Sequence, residues 1–162
     1  MEKHGFFDLI DREALLEKLG DPLPKIGAIV DWEGLRREPE RVPEKPRKSK
    51  AGRKPFDVVL RFEVLVLEQM YDLGDDQFEY QVRDRYSFYR LLGLTPEGRV
   101  PDAKAIWLFR ERLVQRALIE PLFAAFFRQI ERAGCQARKG APRFVPRSSI
   151  SSAGRRPRVA SW

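Results

Sequence analysis

Between Phe56 and Leu73, apolar side chains fall on nearly every side of a helical cylinder: Val58, Val59, Leu60, Phe62, Val64, Leu65, Val66, Leu67, Met70, Tyr71 and Leu73. A helix that is apolar all round has no face to give to water, so other elements must enclose it. This run is expected to be the central helix of a domain. Pro55 suits its first turn and Gly74 suits a left-handed exit.

The flanking segments read as shorter helices. Asp11 to Leu19 is amphipathic, with Leu15, Leu16 and Leu19 on one side and Gly20 as its stop, and that stripe needs a partner. Asp21 ahead of Pro22 caps a second segment carrying Ile26, Ile29 and Val30, and Asp31 caps a further turn through Trp32 and Leu35. Beyond the central helix, Asp76 and Glu79 have capping-box spacing and open a helix that turns Phe78 and Val82 inward. Tyr86, Phe88, Tyr89, Leu91 and Leu92 form an aromatic cluster ending at Gly93, for which core packing is a better reading than base stacking. A turn through Pro96 and Gly98 leads to Asp102, the cap of a helix with the stripe Ala105, Ile106, Phe109, Leu113 and Leu118. Glu120 and Pro121 start a last helix, whose Leu122, Phe123, Phe126, Phe127 and Ile130 continue to Gly134. No internal repeat and no strand-period segment stands out.

Charge divides the chain more sharply than helical pattern does. From Arg36 to Lys54 nine Lys/Arg face three Glu, and Ala141 to Trp162 holds five Arg and no acid, so the rest of this +7 chain is net acidic. Glu38 to Lys54 contains three prolines and no aromatic residue, and is read as a basic linker unable to keep a helix or bury a core. Two roles stay open for it: a solvated connector, or a segment that tracks phosphates. With one cysteine, Cys135, and one histidine, His4, an internal disulfide and a Cys/His zinc site are excluded. No apolar run approaches the roughly 18 residues of a membrane span and the N-terminus carries acids, so the cytoplasm is expected.

These readings give an all-α, compact multi-helix domain with a disordered basic linker and C-terminal tail. The divisions are 1–37 (N-terminal helices), 38–54 (linker), 55–134 (helical domain) and 135–162 (Arg/Ser/Pro-rich tail).

Particular strings add a family. GDPLPKIGAIVDWEGLR (Gly20–Arg36), GRKPFD (Gly52–Asp57), VLEQMYDLGDDQFE, RDRYSFYRLLGL and PDAKAIWLFRERL follow one another in an order and spacing that resembles the N-terminal domain of InsH-like transposases. These are DDE-type enzymes of the insertion sequence five group and relatives. Helical periodicity alone would not demand Pro101, Asp102, Trp107 and Phe109 together. The resemblance runs from roughly Phe7 to Gly140 and implies a domain that handles transposon ends.

In such relatives, an ARKG-like string, here Ala137 to Gly140, precedes a strand with the first catalytic aspartate. After Gly140 this chain has no Asp or Glu. DDE chemistry needs carboxylates converging on paired divalent ions, so the catalytic domain is expected to be absent, with no catalysis and no cofactor in this chain. The tail is expected to be disordered or out-of-frame coding.

The resemblance implies DNA as partner, specifically terminal inverted repeats, bound in the cytoplasm at the nucleoid by a helix-turn-helix-like unit of Asp76–Arg85, Tyr86–Leu92 and Asp102–Arg116. Lys104 is the first base-reading candidate, followed by Arg110 and Arg112, while Arg53, Lys54, Arg83, Arg85 and Arg90 suit phosphates. Each is also readable as a solvated or ion-paired surface residue. Two alternatives remain. One is a helical fragment that pairs with itself or with full-length transposase through an exposed apolar face at Leu122–Ile130; the other is a remnant without function. No membrane and no small-molecule substrate enters any of these readings.

Overall fold

The run that is apolar on every side folds as one helix, Val58–Tyr71, in which Phe62, Val64, Val66 and Leu67 are almost wholly shut off from solvent. The computed structural model describes residues 6–42, 54–95, 98–138 and 141–143. In chain order these form α1 (Phe6–Lys18), α2 (Leu23–Ile29), a 3-10 turn (Glu33–Leu35), α3 (Arg37–Glu40), α4 (Val58–Tyr71), α5 (Asp75–Asp84), α6 (Tyr86–Leu91), α7 (Ala103–Gln115), α8 (Ile119–Arg132) and a hairpin of β1 (Gln136–Arg138) with β2 (Ala141–Arg143). The class is all-α, with one minimal antiparallel hairpin where no strand was expected.

α4 is enclosed as its composition demands. α3 and α7 lie directly on it, α5 packs on α6 and α7, and α8 reaches α2, the 3-10 turn and α7. Five phenylalanines, Phe62, Phe78, Phe88, Phe109 and Phe126, are fully buried and come from five different helices. Tyr71 and Phe78 both pack on Phe88, with ring centroids 5.0 and 6.5 Å away, so the aromatic cluster around α6 is core.

Several local readings are corrected. α4 is capped by Asp57, whose carboxylate accepts the Val59 N–H at 2.8 Å; Pro55 lies ahead of the helix. The left-handed residue at its exit is Asp72 (φ 52°), while Gly74 is extended and opens α5. No side chain caps α5, so the Asp76/Glu79 capping box does not form; Asp75 instead turns toward Arg110. α1 begins five residues earlier than Asp11, at Phe6, and ends in a Schellman turn at Gly20 (φ 89°). Its stripe is covered only in part: Leu16 is half-buried, while Leu15 and Leu19 are 54% and 74% exposed.

The expected linker is partly folded. Arg37–Glu40 is helical, and Pro39 and Val42 are buried in the core, so residues 38–42 belong to the domain. Proline is tolerated there because its missing N–H falls in the first turn, where no intrahelical bond is due. Lys54 is exposed, and residues 43–53, Arg53 among them, lie outside the described residues. Of the expected tail, Cys135 is buried and 136–138 pairs with 141–143; residues 144–162 lie outside the described residues.

Asp31 performs the capping read for it, accepting the Gly34 N–H at 2.9 Å. A Cβ at Gly34 would stand 2.3 Å from Asp31 Oδ2, so a larger residue there would push the capping carboxylate aside. Asp31 is also tied to α8: its N–H donates to Gln129 Oε1 at 2.6 Å, and Trp32 stacks on Phe126 at 5.7 Å.

Candidate nucleic-acid interface

Asp102 positions α7, accepting the Ala105 N–H at 2.7 Å. Ile106, Phe109 and Leu113 then point into the core, while Lys104 and Trp107 face outward. Lys104 sits in the first turn, where the unpaired N–H groups already carry partial positive charge. Its ammonium is exposed and has no ion-pair partner among the described residues, while the Asp102 carboxylate already occupies the capping position beside it. Arg112, half-buried two turns on, has no ion-pair partner among the described residues either.

Arg110 is placed differently. Its guanidinium lies 2.5 Å from Glu68 and 2.6 Å from Asp75, joining α7 to α4 and to the start of α5. The cleft of about 310 Å³ beside it is lined by Glu68, Asp72 and Asp75 as well as Arg110, a net negative surface that repels phosphate. Burial raises the Glu68 carboxyl to about 7, Arg110 pulls it down, and the Asp75 charge raises it again. Arg110 is therefore a structural cation in this arrangement.

The other candidates divide in the same way. Arg90 holds Glu17 at 3.2 Å and Glu13 at 3.7 Å, fastening α6 to α1, and Tyr86 donates to Glu13 at 2.6 Å beside it. Arg83 makes an exposed contact with Glu79 at 3.4 Å, an i,i+4 pair weak enough to exchange for a phosphate. Arg85 is exposed and stacks over Tyr71 and Phe88 at 5.5 and 5.3 Å, an arrangement that fixes its stem and leaves its guanidinium edge open. Lys54 is exposed, and its carbonyl accepts from Arg99 at 3.2 Å.

α8 does not present the apolar face expected of it. Leu122, Phe126 and Ile130 are buried, Phe123 and Phe127 are half-buried, and the large apolar residues that are exposed lie on α1, α5 and α7 and in the turn after α1.

Sequence reasoning also missed three buried charges on α4: Arg61, Glu63 and Glu68. Arg61 packs over the Phe109 ring at 4.7 Å. Burial, with the charges of Asp57 and Glu33, raises Glu63 to about 7. Charged letters inside an otherwise apolar run were the available signal.

The geometry thus defines an all-α domain with exposed cations on α5, at the start of α7 and at its neighbouring turns. Residues 10–112 match the family described as transposase domain (DUF772), and the chain belongs to that family. The match runs from α1 into α7 and leaves α8 and the hairpin outside it. No curated protein and no solved structure matches the chain. No helix among the described residues is long and apolar enough to cross a membrane.

Proposed function

We propose that this chain binds DNA at the terminal inverted repeats of an insertion sequence, as an InsH-like end-recognition domain that performs no strand cleavage itself. Membership of the transposase domain family carries the reading. The outward face at the start of α7 supports it. In this reading α5, α6 and α7 act as a helix-turn-helix-like unit: Lys104 enters the major groove, Arg112 lies on its flank, and Arg83, Arg85 and Lys54 hold phosphates. Such binding proceeds by charge and groove contact and calls on no metal or organic cofactor. Four carboxylates in and beside these helices are engaged within the fold: Asp57 and Asp102 cap α4 and α7, and Glu68 and Asp75 hold Arg110. The partner is chromosomal DNA in the bacterial cytoplasm.

The test is titration of the purified chain against the terminal repeat flanking its gene and against a scrambled duplex at several salt concentrations. A preference of about tenfold, about 1.4 kcal/mol, that survives physiological salt supports end recognition. Lys104→Ala should remove most of that preference. Equal, steeply salt-dependent binding to both duplexes would sink the proposal, leaving generic charge attraction.

A further inference from the structure

A second cationic surface joins the start of the basic Arg36–Lys54 stretch to α8, away from the α7 face. The 3-10 turn and α3 on one side, and α8 on the other, enclose a groove of about 670 Å³ lined by Arg37, Arg41 and Arg128, with Glu38 the one carboxylate in its lining. Glu38 is already engaged by Arg41 at 3.0 Å. Arg37 and Arg128 are exposed and have no ion-pair partner among the described residues. Arg116, just past the end of α7, donates to the Arg41 carbonyl at 3.4 Å and brings a fourth guanidinium to the same lip. Guanidinium groups gathered around one concavity repel one another, and a concave low-dielectric wall focuses their field on whatever anion enters.

The groove is built, not incidental. Pro121, Ala125 and Arg128 fall at i, i+4 and i+7 on one face of α8, so the floor is small and flat with a cation at its far end. The opposite wall is locked to α8 by the Asp31–Gln129 bond and the Trp32–Phe126 stack. In sequence, the chain leaves the Arg41 lip into Pro43–Lys54, where six Lys/Arg meet one Glu.

We infer that the α3–α8 groove, through Arg37, Arg41 and Arg128, is a binding site for the phosphate backbone of duplex DNA, separate from the α7 face. The inference rests on the DNA-binding reading and extends it. Arginine suits this role because its planar fork meets two phosphate oxygens at once. No base edge is involved, so the groove adds affinity without sequence preference.

The experiment compares wild type, Arg37→Gln with Arg128→Gln, Arg37→Lys with Arg128→Lys, and a control of equal charge, Arg12→Gln with Lys18→Gln. Each is titrated on the terminal-repeat and scrambled duplexes across a salt series, with thermal midpoints confirming the fold. The glutamine pair should weaken both duplexes by about tenfold and lower the slope of log affinity against log salt by about 1.8, or 0.9 for each phosphate contact. The lysine pair should restore most of the loss, and the control should change binding by less than about threefold. Glutamine variants that bind like wild type, or a control that loses as much, would overturn the groove site and leave end recognition standing. The reverse, a groove-dependent slope without preference for the repeat, would remove end recognition and keep the groove. A wild-type chain without duplex affinity would end both.

Discussion

Arg110 and Asp75, thirty-five positions apart in the chain, meet through two hydrogen bonds of 2.6 and 3.1 Å, and the same guanidinium reaches Glu68. This clamp joins α4, α5 and α7 at one point. The expected Asp76/Glu79 capping box does not form for a separate reason: α5 begins at Asp75 with Gly74 in the capping position, which leaves Asp76 inside the first turn.

Arg110→Met is expected to destabilise the domain by about 2 kcal/mol, below the loss for a fully buried pair because Arg110 stays partly in water. Glu68 would be left buried without its counter-charge. Urea unfolding at pH 7 measures the loss. The double variant Arg110→Met, Glu68→Gln should recover part of it, and additive losses would show that the two groups are not coupled.

Glu63 makes stability depend on pH. Its carboxyl titrates at about 7 in the fold, against 4.5 for the free group, so the folded protein holds the extra proton between these values. Its contribution is full below about pH 4.5 and is lost as pH rises through about 7, a span worth roughly 3 kcal/mol. Glu68 acts in the same window and the same direction. Glu63→Gln should flatten the unfolding free energy between pH 5 and pH 8 and raise it at pH 8. An unchanged profile would show that Glu63 is ionised in the fold at neutral pH.

Ala117→Gly should stabilise the protein by about 1 kcal/mol. α7 ends in a Schellman turn, with the Leu118 N–H on the Leu113 carbonyl and the Ala117 N–H on the Val114 carbonyl. That motif places its penultimate residue in the left-handed region, and here alanine stands at φ 53°, where its Cβ crowds the backbone. A thermal midpoint that fails to rise would mean that the added freedom of the unfolded glycine outweighs the relief.

The sequence by itself determined the helical class, the central place of α4, and the terminal roles of Asp102, Gly20 and Gly134, whereas the cap of α4 fell on Asp57 and not on Pro55. These follow from composition and from contacts within a few residues, which the chain carries wherever it folds. The inward residues Phe78, Val82, Ile106, Phe109 and Leu113 were legible for the same reason, since a 3.6-residue period marks one face. The fate of each arginine was not legible. Arg110 becomes structural, Arg90 fastens α1, and Arg37 and Arg128 share a groove, because partners 35, 73 and 91 positions away decide where a long charged side chain goes. The folding of residues 38–42 belongs to the same class: Pro39 and Val42 have no apolar neighbours in sequence and are buried only because α3 packs on α4. Local pattern marks the longer helices, whereas α3 and the distribution of charge over a surface are properties of the packed whole.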